Sequence, residues 1–220
     1  MEFVNIESSD GIKLSARLFK ASSNGNEGKS NLAVVLVHPY TVLGGSQGLL
    51  RGIAEGLAQR GFTALTFDMR GAGRSSGWAS LTGSSEIQDV IGVCKWVVEN
   101  LKPDGIVLVG SSAGAPIAGS AVDKIDQVVG YVSLGYPFGW TASILFGRHH
   151  EAILRSQKPK LFVMGTKDGF TSVKQLQNKL KSAAGRVETQ LLDGVSHFQM
   201  EGPAYDEQMA DLITKFIQSL

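Results

Sequence analysis

Three residues of this chain have the types and surroundings that nucleophilic chemistry requires. Ser112 lies within Gly110-Ser111-Ser112-Ala113-Gly114, directly after the apolar run Ile106–Val109 and before small residues suited to opening a helix. A serine hydroxyl attacks poorly unless a base adjoins it and donors await the negative charge on the attacked oxygen. A sharp strand-to-helix turn would lift the Ser112 Oγ above a sheet edge and turn the N–H of Ala113 toward a forming oxyanion. Gly110 and Gly114 would let neighbouring backbone pass close to so tight a turn. Asp168 and His197 each follow a later apolar run, so all three residues sit just beyond the ends of candidate strands.

The elements that must hold these residues are read from periodicity. Residues 2–20 alternate in period two around Asp10-Gly11, the pattern of an antiparallel hairpin. Leu32–Val37 is a continuous apolar run, as expected of a strand buried on both faces of a parallel sheet. Further strands are expected at 62–67, 106–109, 128–134, 160–164 and 187–191. Helices are expected at about 47–60, at 84–101, after the Ser112 turn to about 122, at 171–183 and at 204–219. Ser85-x-x-Gln88 has the form of a capping box for the second of these. Strand and helix alternate without a linker or repeat, which predicts one doubly wound, mostly parallel α/β domain over 1–220 with an N-terminal antiparallel hairpin. In such a sheet, ligands bind outside the carboxyl ends of the strands.

Composition excludes several classes. The 220 residues are 43% hydrophobic, and 21 basic residues against 20 acidic leave a formal charge of +1. With no basic stripe, neither nucleic acid nor an anionic membrane surface is expected as a partner. One cysteine, Cys94, leaves no internal disulfide and falls on an apolar helical stripe, where a core role is expected. The start, MEFVNIESSDG, lacks the charged and apolar regions of a secretory signal, and no run approaches a membrane span. A cytoplasmic protein is expected.

On Gly-x-Ser-x-Gly and the chain order Ser112, Asp168, His197, the sequence resembles the α/β-hydrolase superfamily over essentially its whole length. It is most similar to small, lidless esterases related to dienelactone hydrolase. The resemblance implies Ser112 as nucleophile, His197 as its general base and Asp168 as the acid orienting the imidazole. The chemistry agrees, because a histidine can exchange the serine proton near neutral pH while a buried carboxylate fixes its tautomer. Asp193 is a rival acid, better suited to a turn with Gly194. Ala113 would give one oxyanion donor. The second belongs to the loop after Val37, where relatives often carry His-Gly and this chain has His38-Pro39. Proline has no N–H, so the donor falls to Tyr40, with Thr41 next in line.

His38 is read as structural, and so is Asp68-Met69-Arg70-Gly71-Ala72-Gly73-Arg74-Ser75, with Asp68 or Arg70 bracing neighbouring loops. His149-His150-Glu151 lacks further ligands at useful spacing and is read as a solvated loop or helix, with no metal and no cofactor expected. About twenty residues separate two strands between Gly139 and Pro159, allowing at most a short helix and a minimal lid. Tyr40, Trp78, Tyr136, Phe138, Trp140, Phe170 and Phe198 are expected on loops at the catalytic edge as substrate-pocket walls, with one or two of them turning out to be packing. Such a pocket suits an uncharged ester or acyl substrate. The competing reading is a hydrolase-fold binding or scaffold protein with little turnover. A dinucleotide-binding domain is excluded, because the first buried strand ends in HPYTVLGG rather than Gly-x-Gly-x-x-Gly.

Overall fold

The computed structural model describes residues 1–22, 31–39, 41 and 44–220, and at 141, 142 and 145 the backbone alone. Its strands are β1 (Glu2–Glu7), β2 (Lys13–Phe19), β3 (Leu32–Val37), β4 (Thr63–Phe67), β5 (Gly105–Ser111), β6 (Val128–Leu134), β7 (Lys160–Gly165) and β8 (Val187–Leu192). Its helices are α1 (Arg51–Gln59), α2 (Glu86–Leu101), α3 (Gly114–Ala121), α4 (Trp140–Arg155), α5 (Val173–Leu180), α6 (His197–Met200) and α7 (Asp206–Gln218). A 3-10 turn, Gln47–Leu50, leads into α1.

All eight strands form one sheet in the order β1-β2-β4-β3-β5-β6-β7-β8. β1, β2 and β4 pair antiparallel, and from β4 to β8 every pairing is parallel. The doubly wound, mostly parallel sheet with an N-terminal antiparallel hairpin is therefore present. Its order reverses at β3, from which the chain steps first to β4 on one side and then to β5 on the other. A crevice opens at the carboxyl ends of strands flanking such a reversal.

The continuous apolar runs are explained by two cores. Ala33, Val35 and Val37 of β3 face a layer containing α2, α3 and α4, whereas Val34 and Leu36 face a layer containing α1 and α7. Every residue of β3, β5 and β7 is buried. Cys94 lies wholly inside the first core, where burial pushes its thiol pKa up, as expected of a packing residue rather than a nucleophile.

Two expectations about helices change. Ser85 does not cap α2 with its side chain. It already has helical dihedrals, and the turn before it is instead closed by Glu86, which accepts from the Ser80 N–H at 2.7 Å and from the Ser80 hydroxyl. The segment between Gly139 and Pro159 is a full 16-residue helix, α4, rather than a short one. It packs along α3 and buries Phe146 and Ile153 in the first core. It is therefore a crossover helix of the sheet.

The Asp68–Ser75 loop is braced as expected. Asp68 accepts from the Gln47 backbone N–H at 2.9 Å and from Gln47 Nε2 at 2.8 Å. Arg70 pairs with buried Asp89 at 2.7 Å and with Asp10 of the hairpin turn at 2.9 Å. These bonds tie the hairpin, the loop and α2 together behind the crevice.

Candidate active site

At the end of β5 the chain turns so sharply that Ser112 takes φ +50°, left-handed backbone that a non-glycine residue adopts only under constraint. The turn is held by the Ser112 N–H donating to Leu134 O at 2.7 Å and the Ala115 N–H donating to Ser112 O at 2.9 Å. The flanking glycines are required by space. A Cβ on Gly114 would stand 2.1 Å from His38 O, and one on Gly110 would stand 2.5 Å from Ala115 Cα. The N–H of Ala113, next to Ser112, makes no hydrogen bond among the described residues, as suits a donor awaiting an oxyanion.

Ser112 Oγ lies 2.7 Å from His197 Nε2. On the far side of the ring, His197 Nδ1 lies 2.6 Å from Asp168 Oδ2. The other Asp168 oxygen accepts from the backbone N–H groups of Phe170 at 2.7 Å and Thr171 at 2.9 Å. Burial by itself would raise the Asp168 pKa, but the bonds and charge of His197, with these two N–H donors, hold it below the ordinary carboxylate value. Thr171 in turn donates to Tyr136 O at 2.9 Å and accepts from the Phe138 N–H at 2.8 Å, knitting the loop after β7 to the loop after β6. Asp193 is exposed and accepts from Thr166 Oγ1 at 3.1 Å, in the turn role expected of it with Gly194 at φ +72°.

His197 opens the one-turn helix α6, which the sequence reading passed over, and its ring is buried. The ring lies so close over Gly135 that a Cβ there would approach its Cε1 to 2.9 Å. Glu201, immediately after α6, also escaped the sequence reading. It accepts from Ser111 Oγ at 3.1 Å, the residue just before Ser112. The available signal was an acid four positions after His197, but a helix of one turn is too short to read by period.

His38 is structural as expected. It is fully buried, its Nε2 accepts from the Met69 N–H at 2.9 Å, and its Nδ1 lies 2.6 Å from the Pro39 carbonyl, to which it donates. Tyr40, the expected second oxyanion donor and a pocket residue, lies outside the described residues. Of the other aromatics, Phe170 and Phe198 meet the His197 ring edge-on at 4.7 and 5.6 Å and meet each other at 5.7 Å. Trp140 is exposed at the start of α4, and its neighbour Gly139 passes so close to Phe170 O that a Cβ there would stand 1.8 Å away.

Tyr136 and Phe138, expected as pocket walls, are buried and stacked on each other at 4.1 Å in the first core. Phe138 also borders a cleft of about 580 Å³ with Trp140, Ser143, Gln175, Asn178 and Lys179. Trp78 is 91% exposed in the loop between β4 and α2, two positions after Ser76, which pairs with Lys13. That places it at the antiparallel end of the sheet.

His149 and His150 lie on α4 but are buried rather than solvated. Each ring nitrogen has a partner. His149 contacts Ser120 Oγ at 2.8 Å and Thr82 O at 2.7 Å, and His150 contacts Tyr136 Oη at 3.1 Å and Ser143 Oγ at 3.2 Å. Among the described residues no group of three His, Cys, Asp or Glu could hold a metal ion. Burial, with smaller contributions from Lys179 and His149, lowers the His150 pKa to about 4. Above the unfolded value of about 6.5 the ring is neutral in both states and its contribution is complete. As pH falls from there toward about 4, the unfolded chain binds the proton first, and stability drains by about 1.4 kcal/mol per unit. Urea midpoints are therefore expected to fall between pH 7 and pH 5, and His150→Gln is expected to flatten that fall.

A family model described as alpha/beta hydrolase fold matches residues 33–149. The chain is 31% identical over 140 residues to a polyketide transferase, claH, of Penicillium crustosum, a match covering 61% of this chain and 44% of that protein. It thus spans under half the length of that relative. Among solved structures it superposes on an alpha-beta serine hydrolase homologue from Coxiella burnetii with TM-score 0.80 and 23% identity, covering 100% of this chain and 97% of the other. A serine hydrolase without a lid from Xanthomonas campestris gives TM-score 0.80 at 19% identity, with 99% and 94% covered. The Pyrococcus furiosus esterase Pf2001 gives 0.77 at 22%, with 99% and 91% covered.

Proposed function

Because this chain belongs to the alpha/beta hydrolase fold family, we propose that it is a serine hydrolase cleaving a small or medium carboxylic ester or thioester through an acyl-enzyme. The observation that carries this reading is the unbroken line from Asp168 through His197 to Ser112, with contacts of 2.6 and 2.7 Å at the carboxyl edge of the sheet. In this reading residues 1–220 form one catalytic domain. Ser112 Oγ attacks the acyl carbon as His197 Nε2 takes its proton, and Asp168 steadies the imidazolium. The tetrahedral oxyanion is held by the Ala113 N–H and by a second N–H from Tyr40 or Thr41. Collapse expels the alcohol or thiol, which receives the proton from His197. Water, deprotonated by the same imidazole, then releases the acid and restores Ser112.

Phe170 and Phe198 offer apolar surface beside the base, in keeping with an uncharged acyl or alkyl group rather than a charged one, and Trp140 is proposed to extend that surface. Relatives named as esterases and as a polyketide transferase both point to acyl chemistry, with water or another nucleophile as acceptor.

The test is labelling with a fluorophosphonate, located by peptide mass, alongside turnover of p-nitrophenyl acetate and butyrate. Covalent label on Ser112 together with turnover is the expected result. A folded wild-type protein that takes no label and turns over neither ester would overturn the reading in favour of a hydrolase-fold binding protein.

A further inference from the structure

Resting on the serine-hydrolase reading, we propose that Glu201 is a positioning residue for His197. Its carboxylate clasps the helix carrying the base to the strand carrying the nucleophile, and its negative charge favours the imidazolium formed when the base takes the serine proton.

The need for a clasp follows from the shortness of α6. A four-residue helix does not hold itself together in water, because nucleation costs more than one turn returns. At its front, the Ser196 N–H donates to Gln199 Oε1 at 2.8 Å, and His197 is engaged by Ser112 and Asp168. At its back the chain continues into Glu201, which reaches across to Ser111 Oγ at 3.1 Å. Ser111 is 2% exposed, so its hydroxyl needs a partner inside the protein, and Glu201 supplies one. The bond joins residues on either side of the Ser112–His197 contact, one position before the serine and four after the histidine. It thus ties base to nucleophile in addition to the anchor that Met200, buried in the second core, gives the end of α6.

Charge gives the second effect. Among the described residues, the titratable groups brought to His197 are Ser112 from the turn after β5, Asp168 from the loop after β7, and Glu201 from its own segment. Glu201 feels both His197 and Asp168, and burial pushes its carboxyl above the ordinary glutamate value while the imidazole charge and the Ser111 bond pull it down. When His197 takes the serine proton, the charge of the imidazolium is felt by two carboxylates. Asp168 touches it, and Glu201 acts across space.

The experiment is the pH profile of kcat/KM on p-nitrophenyl acetate for wild type, Glu201→Gln, Glu201→Asp and Ser111→Ala, with circular dichroism checking each fold. Removing the negative charge weakens the hold of the imidazole on its proton, so Glu201→Gln is expected to move the acidic limb down by about half a pH unit to one unit. Its plateau kcat is expected to fall about three- to ten-fold. Glu201→Asp should hold the limb, and Ser111→Ala should lower the plateau.

A labelled, active wild type whose limb is unmoved by Glu201→Gln would overturn the proposal alone, even with a lower plateau. A wild type that takes no fluorophosphonate would overturn the hydrolase reading with it. If Glu201→Gln does not fold, Glu201→Asp decides, because its carboxylate stops one methylene short of Ser111. A reduced plateau on an unmoved limb supports the clasp, and a wild-type plateau overturns it.

Discussion

Ser112→Ala is expected to lower kcat on a short p-nitrophenyl ester by about a million-fold, and Ser112→Ala combined with His197→Ala by no more than either change alone. In the proposed mechanism the two side chains act as one unit. With the oxygen gone, Nε2 has no serine proton to accept, and with the imidazole gone, the hydroxyl keeps its proton at neutral pH. In that mechanism the proton moves across their 2.7 Å contact, so a second deletion would remove nothing that the first has left. Single-turnover and steady-state rates of the two singles and the double would check this. A double variant much slower than both singles would mean that Ser112 and His197 work independently.

Asp168→Asn is expected to lower kcat by about ten-thousand-fold while leaving the fold intact. The reason lies in the two sides of the carboxylate. Oδ1 accepts two backbone N–H groups, from Phe170 and Thr171, whereas Oδ2 faces His197 Nδ1. An asparagine here must turn its carbonyl oxygen to the backbone donors, because an amide NH₂ in that place would leave both N–H groups buried against a donor. Its NH₂ then donates to Nδ1 and drives the ring proton onto Nε2, the nitrogen that must accept from Ser112. The variant is locked in the inactive tautomer by the same backbone bonds that orient the acid in the wild type. Kinetics paired with a thermal melt would separate a lost tautomer from a lost fold, since an unchanged Tm with wild-type kcat would remove Asp168 from the mechanism.

Much of this site is legible in the sequence because parallel strands are buried on both faces. The runs at 32–37, 106–109, 128–134 and 160–164 stand out as unbroken apolar stretches, and whatever follows such a run must lie at the carboxyl edge. That is why Ser112, Asp168 and His197 can be brought together without coordinates. Side-chain direction within loops is another matter. Tyr136 and Phe138 flank Pro137 on a loop, yet both rings turn inward and stack, while Phe170 and Phe198 turn toward the histidine. Nothing in their spacing distinguishes the two cases.

The α4 segment misleads for a related reason. His149 and His150 break its apolar pattern, and their burial depends on Ser120, Thr82, Tyr136 and Ser143, which are scattered along the chain. Partners of that kind leave no period. Glu201 is hidden in the same way, since its role rests on Ser111, ninety positions away.

The loops after β7 and β8 are zipped together, with the Thr166 N–H donating to Leu192 O at 2.9 Å and the Lys167 N–H donating to Val195 O at 2.9 Å. Acid and base therefore ride on one unit at the outer margin of the sheet, where β8 is the last strand and half open to solvent. The proposed nucleophile stands three strands inward, after a strand buried along its whole length. Peeling back this margin would carry Asp168 and His197 away from Ser112 while the inner strands of the sheet stayed paired. Local opening of this rim is expected to cost less than unfolding, so activity would be lost before the fold is.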